Sequence, residues 1–182
     1  IVFERGPYVS FANCGLPYFI GGEITDRKKL VVQTPESLKS RLNIDVRTNT
    51  EVIAVDRERQ IVRFRHLPTG EEGPTGDEGG TNYTHLLLAT GATPLRPPIP
   101  GLNQEGIFTL RTIPDMDRID RWIVERQPKR AVVVGAGFIG LEMVEQLQRR
   151  QLEVVLVEAL PQVLGPIDPE LAGLLERELV AH

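Results

Sequence analysis

The stretch AVVVGAGFIGLE, residues 131–142, constrains the fold more than any other part of this 182-residue chain. It has the pattern of a buried strand, a glycine-rich turn and the start of a helix. Within it, Gly135, Gly137 and Gly140 have the spacing G-x-G-x-x-G. The first glycine permits a tight turn, the second lets the backbone approach a pyrophosphate, and the third allows close helix–strand packing. The pattern therefore predicts a βαβ unit that binds a dinucleotide.

A second strand of this unit is predicted at residues 154–157, after a helix at residues 138–150. The strand ends at Glu158, which stands 18 residues past Gly140, where an acid would bind the adenosine ribose hydroxyls. The two residues after this acid offer no arginine for a 2′-phosphate, so NADH is favoured over NADPH. A glycine-rich turn that binds no ligand is the alternative interpretation of the same residues.

The rest of the chain alternates between short strands and helices. Strands are predicted at residues 1–4, 45–47, 51–56, 60–66, 83–89 and 131–134, and helices at 14–20, 35–42, 114–127 and 168–182. Residues 68–82 are rich in glycine and acids, which predicts a mobile hairpin tip, and residues 92–101 contain four prolines, which predicts an extended connector. Together these elements predict an α/β fold with a β-meander, followed by the βαβ unit, with a boundary near residue 113.

The composition argues against several classes of function. The formal net charge of −4 gives no basic surface for nucleic acid. No apolar run approaches the roughly 20 residues that span a bilayer, and no signal peptide or cysteine–histidine metal cluster is predicted. A single cysteine is typical of a reducing, cytoplasmic compartment. The chain starts at Ile1 and stops within a helical pattern, so we expect an internal fragment of a longer protein.

Cys14 is the only cysteine of the sequence and lies in VSFANCGLPYFIGG, residues 9–22. A lone cysteine is ordinarily a small apolar core residue. Here the cysteine stands where a helix is predicted to begin, and a helix N-terminus favours a thiolate. On the residues alone, a buried spacer and a nucleophile both stay open as interpretations.

Five segments together resemble the FAD-dependent pyridine nucleotide-disulfide oxidoreductases. They are residues 9–22, 34–38 (TPESL), 86–101 (LLLATGATPLRPPIPG), 109–119 (TLRTIPDMDRI) and 132–147 (VVVGAGFIGLEMVEQL). The resemblance is to the single-cysteine branch, which contains coenzyme A-disulfide reductases, NADH-dependent persulfide reductases, NADH oxidases and peroxidases. It implies an FAD domain interrupted by an inserted NADH domain, and a C-terminal domain through which the whole protein forms a homodimer.

From the domain order that the resemblance implies, we expect two partial domains in this chain. Residues 1–113 would be a partial FAD-binding Rossmann-like domain that lacks its first strand and first glycine-rich loop. Residues 114–182 would be the N-terminal part of the NAD(P)H-binding domain. The isolated fragment would then hold part of each cofactor site and no complete one.

The resemblance also implies the roles of individual residues. Cys14 would be the redox-active cysteine, and Ile139 and Glu142 would lie at the contact between nicotinamide and flavin, beside the three glycines and Glu158. The residues implied on the FAD side are Glu4, Arg5, Ser10, Asn13, Val52, Ala89, Thr90, Gly91 and Arg111. Each also has an ordinary interpretation, namely helix capping, core packing, a turn or a solvated charge.

The chemistry implied by the resemblance transfers electrons from NADH through flavin to Cys14, which reduces a coenzyme A disulfide, a persulfide or a polysulfide. Family members with two redox cysteines use C-x-x-x-x-C, but here Phe19 stands at the second cysteine position. Cys14 must therefore cycle alone, between a thiolate and a mixed disulfide, persulfide or sulfenate. Leu42 occupies a position where coenzyme A-using members are expected to carry lysine, which puts specificity for coenzyme A in doubt.

Two alternatives stay open. An NADH oxidase or peroxidase would use the same cysteine as a sulfenate. An isolated fragment would instead be an inactive folding unit or a nucleotide-binding module.

Overall fold

A computed structural model describes residues 1–68 and 78–181 of the chain. The chain divides into two compact units. The first consists of residues 1–12 and 31–93, and the second of residues 13–30 and the residues from 94 onward. The segment that contains Cys14 is therefore part of the same unit as the glycine-rich loop.

The described residues form nine strands and five α-helices. The strands are β1 (Val2–Phe3), β2 (Ser10–Phe11), β3 (Val31–Gln33), β4 (Val46–Arg47), β5 (Thr50–Asp56), β6 (Ile61–His66), β7 (Glu78–Asn82), β8 (Arg130–Val134) and β9 (Glu153–Val157). The helices are α1 (Gly15–Ile20), α2 (Pro35–Leu42), α3 (Ile113–Arg126), α4 (Phe138–Arg149) and α5 (Pro169–Ala181).

The first unit combines two strand pairs with an antiparallel meander. Strands β1 and β4 pair in parallel, β2 pairs with β3 in antiparallel orientation, and β5, β6 and β7 form a three-stranded sheet in that order. The ring of Phe3 stacks on that of Phe64 at a centroid distance of 4.8 Å. The guanidinium of Arg47 lies 5.6 Å from the centroid of each ring, so β1, β4 and the meander share one aromatic cluster.

The predicted mobile tip at residues 68–82 is wrong where the structure describes it, because residues 78–82 form β7. Gly79 and Gly80 led to the prediction of a loop, yet Gly79 is required for packing. A Cβ on Gly79 would lie 2.7 Å from the Phe64 ring, so only glycine lets β7 pass over that ring. Residues 69–77 of the predicted tip lie outside the described residues.

The predicted strand at residues 83–89 is also wrong. These residues form no strand, and Leu87 and Leu88 are 88% and 70% exposed. A strand needs a neighbour that satisfies its backbone N–H and C=O groups. Within residues 1–68 and 78–181 no strand pairs with this segment, so its apolar composition alone does not produce a strand.

The second unit contains the predicted βαβ arrangement. Strands β8 and β9 run in parallel with Arg130 opposite Glu153 and Val134 opposite Val157, and α4 connects them. Helix α1 packs against α3 and α4. Apolar side chains of α1, α3 and α4 are buried, namely Leu16, Ile20, Ile113, Met116, Ile119, Ile123, Met143, Val144 and Leu147.

Helix α3 begins with a capping box. The Thr112 hydroxyl accepts a hydrogen bond from the Asp115 N–H at 3.3 Å, and the Asp115 carboxylate accepts one from the Thr112 N–H at 2.8 Å. Burial would raise the pKa of Asp115, but hydrogen bonds from Thr112 and the nearby Arg118 guanidinium hold it below its usual value. The stabilisation by the ionised Asp115 carboxylate is therefore present at neutral pH and is lost as the pH falls through its folded-state pKa.

We predict that Thr112→Ala lowers the free energy of unfolding by about 1 kcal/mol, because the N3 amide of α3 loses its side-chain acceptor. Urea unfolding of the purified protein at pH 7 measures this difference. Thr84→Ala, in an exposed loop, serves as the control and should change the free energy by less than about 0.5 kcal/mol. Equal effects of the two substitutions would contradict the capping role.

Candidate functional site

The first part of the candidate site is the loop between β8 and α4. Gly135 has a φ of +104°, a backbone conformation that favours glycine. A Cβ on Gly140 would lie 1.9 Å from the carbonyl oxygen of Gly135, so any side chain there would push α4 away from the strand. A Cβ on Gly137 would meet no atom within 4 Å. The loop thus has open space in front of its second glycine, where a pyrophosphate could approach the backbone.

The amino end of α4 faces the same loop. Gly137 is the N-cap residue and provides no side-chain cap, so the first amide groups of this 12-residue helix have no side-chain acceptor at that position. Unpaired amides and the helix dipole favour an anion at such an end. Ile139, predicted at the nicotinamide contact, lies in the first turn and is 55% exposed.

Glu158, the predicted ribose acid, is held against this loop. Its Oε2 accepts a hydrogen bond from the N–H of Ala136 at 2.6 Å, and its Oε1 accepts from the N–H groups of Ala159 and Leu160 at 2.7 and 2.9 Å. The bond from Ala136 is the largest of the causes that lower the pKa of Glu158 below its usual value. The carboxylate is therefore charged at neutral pH and lies beside Ala136, between the first and second glycines of the motif.

Glu4, the second predicted ribose acid, has a similar local arrangement in the first unit. It follows β1 as Glu158 follows β9, and its Oε1 accepts a hydrogen bond from the N–H two residues on, that of Gly6, at 2.6 Å. Its own N–H donates to the carbonyl of Arg47 at 2.9 Å. Both acids thus end a strand of a parallel pair with a carboxylate held by the following backbone.

Cys14 is exposed and is the N-cap residue of α1. The backbone around it is held by a bond from the Leu16 N–H to the Asn13 carbonyl at 3.3 Å, and Asn13 is also exposed. The interpretation of Cys14 as a buried apolar spacer is therefore wrong. The thiol of Cys14 is thus accessible at the amino end of α1.

Tyr18 of α1 is half-buried and was not predicted from the sequence as a site residue. It stands four residues after Cys14, a spacing that brings side chains to one face of a helix and is the signal that could have identified it. Glu142 is the main cause that raises the pKa of the Tyr18 phenol, followed by burial and the charges of Glu145, Glu23 and Cys14. The charge of Glu142 and burial thus both disfavour the phenolate form of Tyr18.

The remaining predicted site residues lie in the first unit, apart from Arg111, which lies just before α3. Ser10 lies in β2 opposite Gln33. Val52 is 41% exposed in β5, so it is not a core residue of the described chain. Arg5 is exposed. Arg111 is half-buried, and its N–H donates to the Asp115 carboxylate at 3.2 Å. Ala89, Thr90 and Gly91 are exposed and belong to no helix, strand or turn.

The described residues contain neither a cluster of metal ligands nor a helix that could span a membrane. Within residues 1–68 and 78–181 no group of three or more histidine, cysteine, aspartate or glutamate side chains could hold a metal ion. No helix in that part of the chain is long and apolar enough to cross a membrane.

The whole chain matches one known protein family. The family model described as pyridine nucleotide-disulphide oxidoreductase matches residues 1–182. An NADH oxidase of Methanocaldococcus jannaschii is 38% identical over 180 residues, which are 98% of this chain and 39% of that protein. A coenzyme A disulfide reductase of Staphylococcus haemolyticus is 38% identical over 178 residues, 98% of this chain and 38% of that protein.

Two solved structures share the fold at high similarity. The reduced Bacillus anthracis CoADR-RHD has a TM-score of 0.93 and 45% identity, over 99% of this chain and 31% of that chain. A NAD-dependent persulfide reductase from A. fulgidus has a TM-score of 0.88 and 37% identity, over 99% of this chain and 32% of that chain. The chain therefore spans less than half the length of the relatives it matches.

We predict that Gly137→Ala and Gly140→Ala have opposite signatures. Gly137→Ala should leave the free energy of unfolding nearly unchanged, because its Cβ meets open space, and should lower NADH affinity at least about tenfold. Gly140→Ala should cost about 1–3 kcal/mol of stability, because its Cβ clashes with the Gly135 carbonyl. Calorimetric NADH titration and urea unfolding of both variants measure these effects. Unchanged NADH affinity in Gly137→Ala would contradict the assignment of the loop.

Proposed function

This chain belongs to the pyridine nucleotide-disulphide oxidoreductase family, and from that premise we propose that the full-length protein is an FAD-dependent enzyme that uses NADH to reduce a sulfur substrate at Cys14. The proposed substrates are coenzyme A disulfide, a persulfide or a polysulfide. The observation that carries the proposal is that Cys14 is exposed and lies in the same compact unit as the glycine-rich loop. The thiol is therefore accessible to a substrate from outside.

The loop fits the pyrophosphate and ribose of a dinucleotide. The open space at Gly137 leaves room for phosphate oxygens, and the amino end of α4 supplies N–H donors and a positive partial charge. Glu158 is charged and lies beside the loop, where it would accept hydrogen bonds from ribose hydroxyls. When bound, NADH would supply a hydride and FAD would relay the electron pair to sulfur.

We propose that Glu4, Arg5 and Val52 hold the adenosine part of FAD, and that Ser10, Asn13, Arg111 and residues 89–91 lie toward its flavin and phosphates. Support comes from Glu4, whose carboxylate is held by the following backbone as that of Glu158 is. A carboxylate that is held by backbone N–H groups at the end of a strand is suited to bind the hydroxyls of an adenosine ribose, and the chain has one at each of two strand ends. Ile139 and Glu142 are proposed at the nicotinamide.

The proposed work of Cys14 is thiol–disulfide exchange. Its thiolate attacks one sulfur of the substrate, so a new S–S bond forms on Cys14, the substrate S–S bond breaks and a thiolate leaves and takes up a proton. The mixed disulfide then accepts two electrons, which releases the second thiolate and regenerates Cys14. Phe19 stands at the second cysteine position of the C-x-x-x-x-C members, so the leaving thiol is proposed to come from the substrate.

A second candidate function is that of an NADH oxidase or peroxidase, in which Cys14 attacks peroxide and becomes a sulfenate. The similarity to an NADH oxidase of Methanocaldococcus jannaschii supports this second function.

We also propose that the full-length protein is cytoplasmic and forms a homodimer. The isolated 182-residue chain is proposed to be a folding unit or nucleotide-binding module without turnover, since it spans 38% of the coenzyme A disulfide reductase it resembles.

We predict that Cys14→Ser in the full-length protein lowers NADH-dependent reduction of sulfur substrates at least about 100-fold, equivalent to about 2.7 kcal/mol of transition-state stabilisation. The expected cause is loss of the attacking thiolate. NADH consumption with coenzyme A disulfide, polysulfide, peroxide and oxygen identifies the acceptor. Phe19→Leu, on the same helix, is the control and should retain activity. Equal sulfur turnover in Cys14→Ser and the parent enzyme would rule out the proposed role.

We also predict that Glu158→Ala combined with Ala159→Arg shifts the preference from NADH toward NADPH by at least about tenfold. The exchange removes a carboxylate that would repel a 2′-phosphate and adds a guanidinium that binds one. The ratio of kcat/KM for the two nucleotides measures the shift. Glu153→Ala removes an acid at the other end of β9 and should leave that ratio unchanged. A ratio that stays constant in the double variant would contradict the role of Glu158.

A further inference from the structure

The segment that contains Cys14 is held to α3 and α4 by several polar contacts. Arg27 makes two hydrogen bonds with Asp117 of α3, from Nε to Oδ1 at 2.8 Å and from Nη2 to Oδ2 at 2.7 Å. The buried side chains of Leu16 and Ile20, which are 2% and 0% exposed, fill the apolar part of the contact. The segment is therefore a packed element of the second unit.

The carboxyl end of α1 is completed by a side chain from α4. The last four carbonyl groups of a helix have no partner within it. In α1, three of them accept from the backbone N–H groups of Gly21, Gly22 and Glu23. The fourth, that of Ile20, accepts from Nη1 of Arg150 at 2.8 Å. A cation at this end also complements the helix dipole.

Arg150 is itself held in place. The same Nη1 donates to Oδ1 of Asp120 in α3 at 3.0 Å, and the two side chains are 25% and 29% exposed. One guanidinium nitrogen thus bridges α1 and α3 from the C-cap position of α4. This partly buried ion pair is exposed to less solvent screening than a pair on the open surface.

Gln146 makes the second contact from α4. Its side chain is fully buried, and Nε2 donates to Oε1 of Glu23 at 2.8 Å. Its Oε1 is buried without a hydrogen-bond partner among the described residues. A Cβ on Gly21 would lie 1.8 Å from that oxygen, so the end of α1 is packed directly on Gln146. An unpaired buried oxygen destabilises a fold, but the packing of Gly21 against Gln146 keeps this oxygen buried.

From these contacts we infer that Gln146 and Arg150 are positioning residues for Cys14. They are at the carboxyl end of α4, whose amino end forms the glycine-rich loop about 18 Å away, at 1.5 Å per residue over 12 residues. One rigid helix thus carries the dinucleotide loop at one end and holds the helix of the redox cysteine at the other. The effect on catalysis rests on the proposed function, whereas the contacts do not.

The positioning role predicts a selective defect. A displacement of about 1 Å at a reacting group can cost about 100-fold in rate. Loosening α1 should therefore slow the step at Cys14 and spare the transfer from NADH to flavin. Arg150→Met removes both hydrogen bonds, whereas Arg150→Lys retains one ammonium that can donate to the Ile20 carbonyl and Asp120.

The test uses the full-length protein with bound FAD. NADH-dependent turnover is measured with the sulfur substrate and, separately, with ferricyanide, an acceptor that takes electrons from reduced flavin. We expect Arg150→Met to lower kcat for the sulfur substrate at least about tenfold, with ferricyanide turnover and the KM for NADH within about twofold of the parent enzyme. Arg150→Lys should recover most of the loss.

A second readout does not depend on activity. Hydrogen exchange of the peptide covering residues 13–30 should be faster in Arg150→Met than in the parent protein, because the end of α1 loses its anchor. Arg130→Met is the matched control, since it breaks another arginine–carboxylate pair of the same unit, with Glu153 at 2.7 Å. It should leave exchange of that peptide and both activities unchanged.

The outcomes separate the two proposals. Unchanged sulfur turnover in Cys14→Ser would overturn the proposed function. A large loss in Cys14→Ser with unchanged turnover and exchange in Arg150→Met, or an equal loss of both activities, would overturn the positioning role alone. If Arg150→Met does not bind FAD, Gly21→Ala decides. Its Cβ would lie 1.8 Å from the buried Gln146 oxygen and would push the end of α1 away from α4, so it should give the same selective defect.

Discussion

The close approach of α4 to β8 is the contact on which the candidate site depends. The Cα of Gly140 lies so near the Gly135 carbonyl that a Cβ would come within 1.9 Å of the oxygen. This approach puts the amino end of α4 at the end of β8, and it puts the N–H of Ala136 within 2.6 Å of the Glu158 carboxylate. Loop, helix end and acid therefore form one arrangement, which depends on the absence of a side chain at Gly140 and on the positive φ of Gly135.

The same helix explains why a short segment around Cys14 is ordered. An isolated six-residue helix would be unstable in water. Here α1 buries Leu16 and Ile20 completely or nearly so, and its last carbonyl is satisfied by Arg150. The thiol at the other end of α1 stays exposed. Burial of one face and exposure of the N-cap residue are thus two results of the same packing.

Sequence patterns predicted most of this architecture because most of it is local. The α/β fold class and the family resemblance are confirmed, and the predicted helix at residues 35–42 is α2. The predicted strand at residues 83–89 and the predicted mobile tip that contains β7 were wrong because strand pairing is not local. Residues 83–89 have the composition of a buried strand but no partner in the described chain, and Gly79 looks like a loop residue until the Phe64 ring is placed against it. The roles of individual site residues, and the boundary near residue 113, remain predictions.

Motif spacing predicted Cys14, the glycines and Glu158 as site residues, whereas the sequence did not predict the contacts of Gln146 and Arg150. These residues act through contacts between α1 and α4, which are separated by more than 100 residues in the chain. No motif joins them. A glutamine and an arginine near the end of an amphipathic helix look like solvated surface residues until the fold shows that one is fully buried and the other binds the last carbonyl of α1. Long-range polar contacts of this kind are where a structure adds to what a motif can predict.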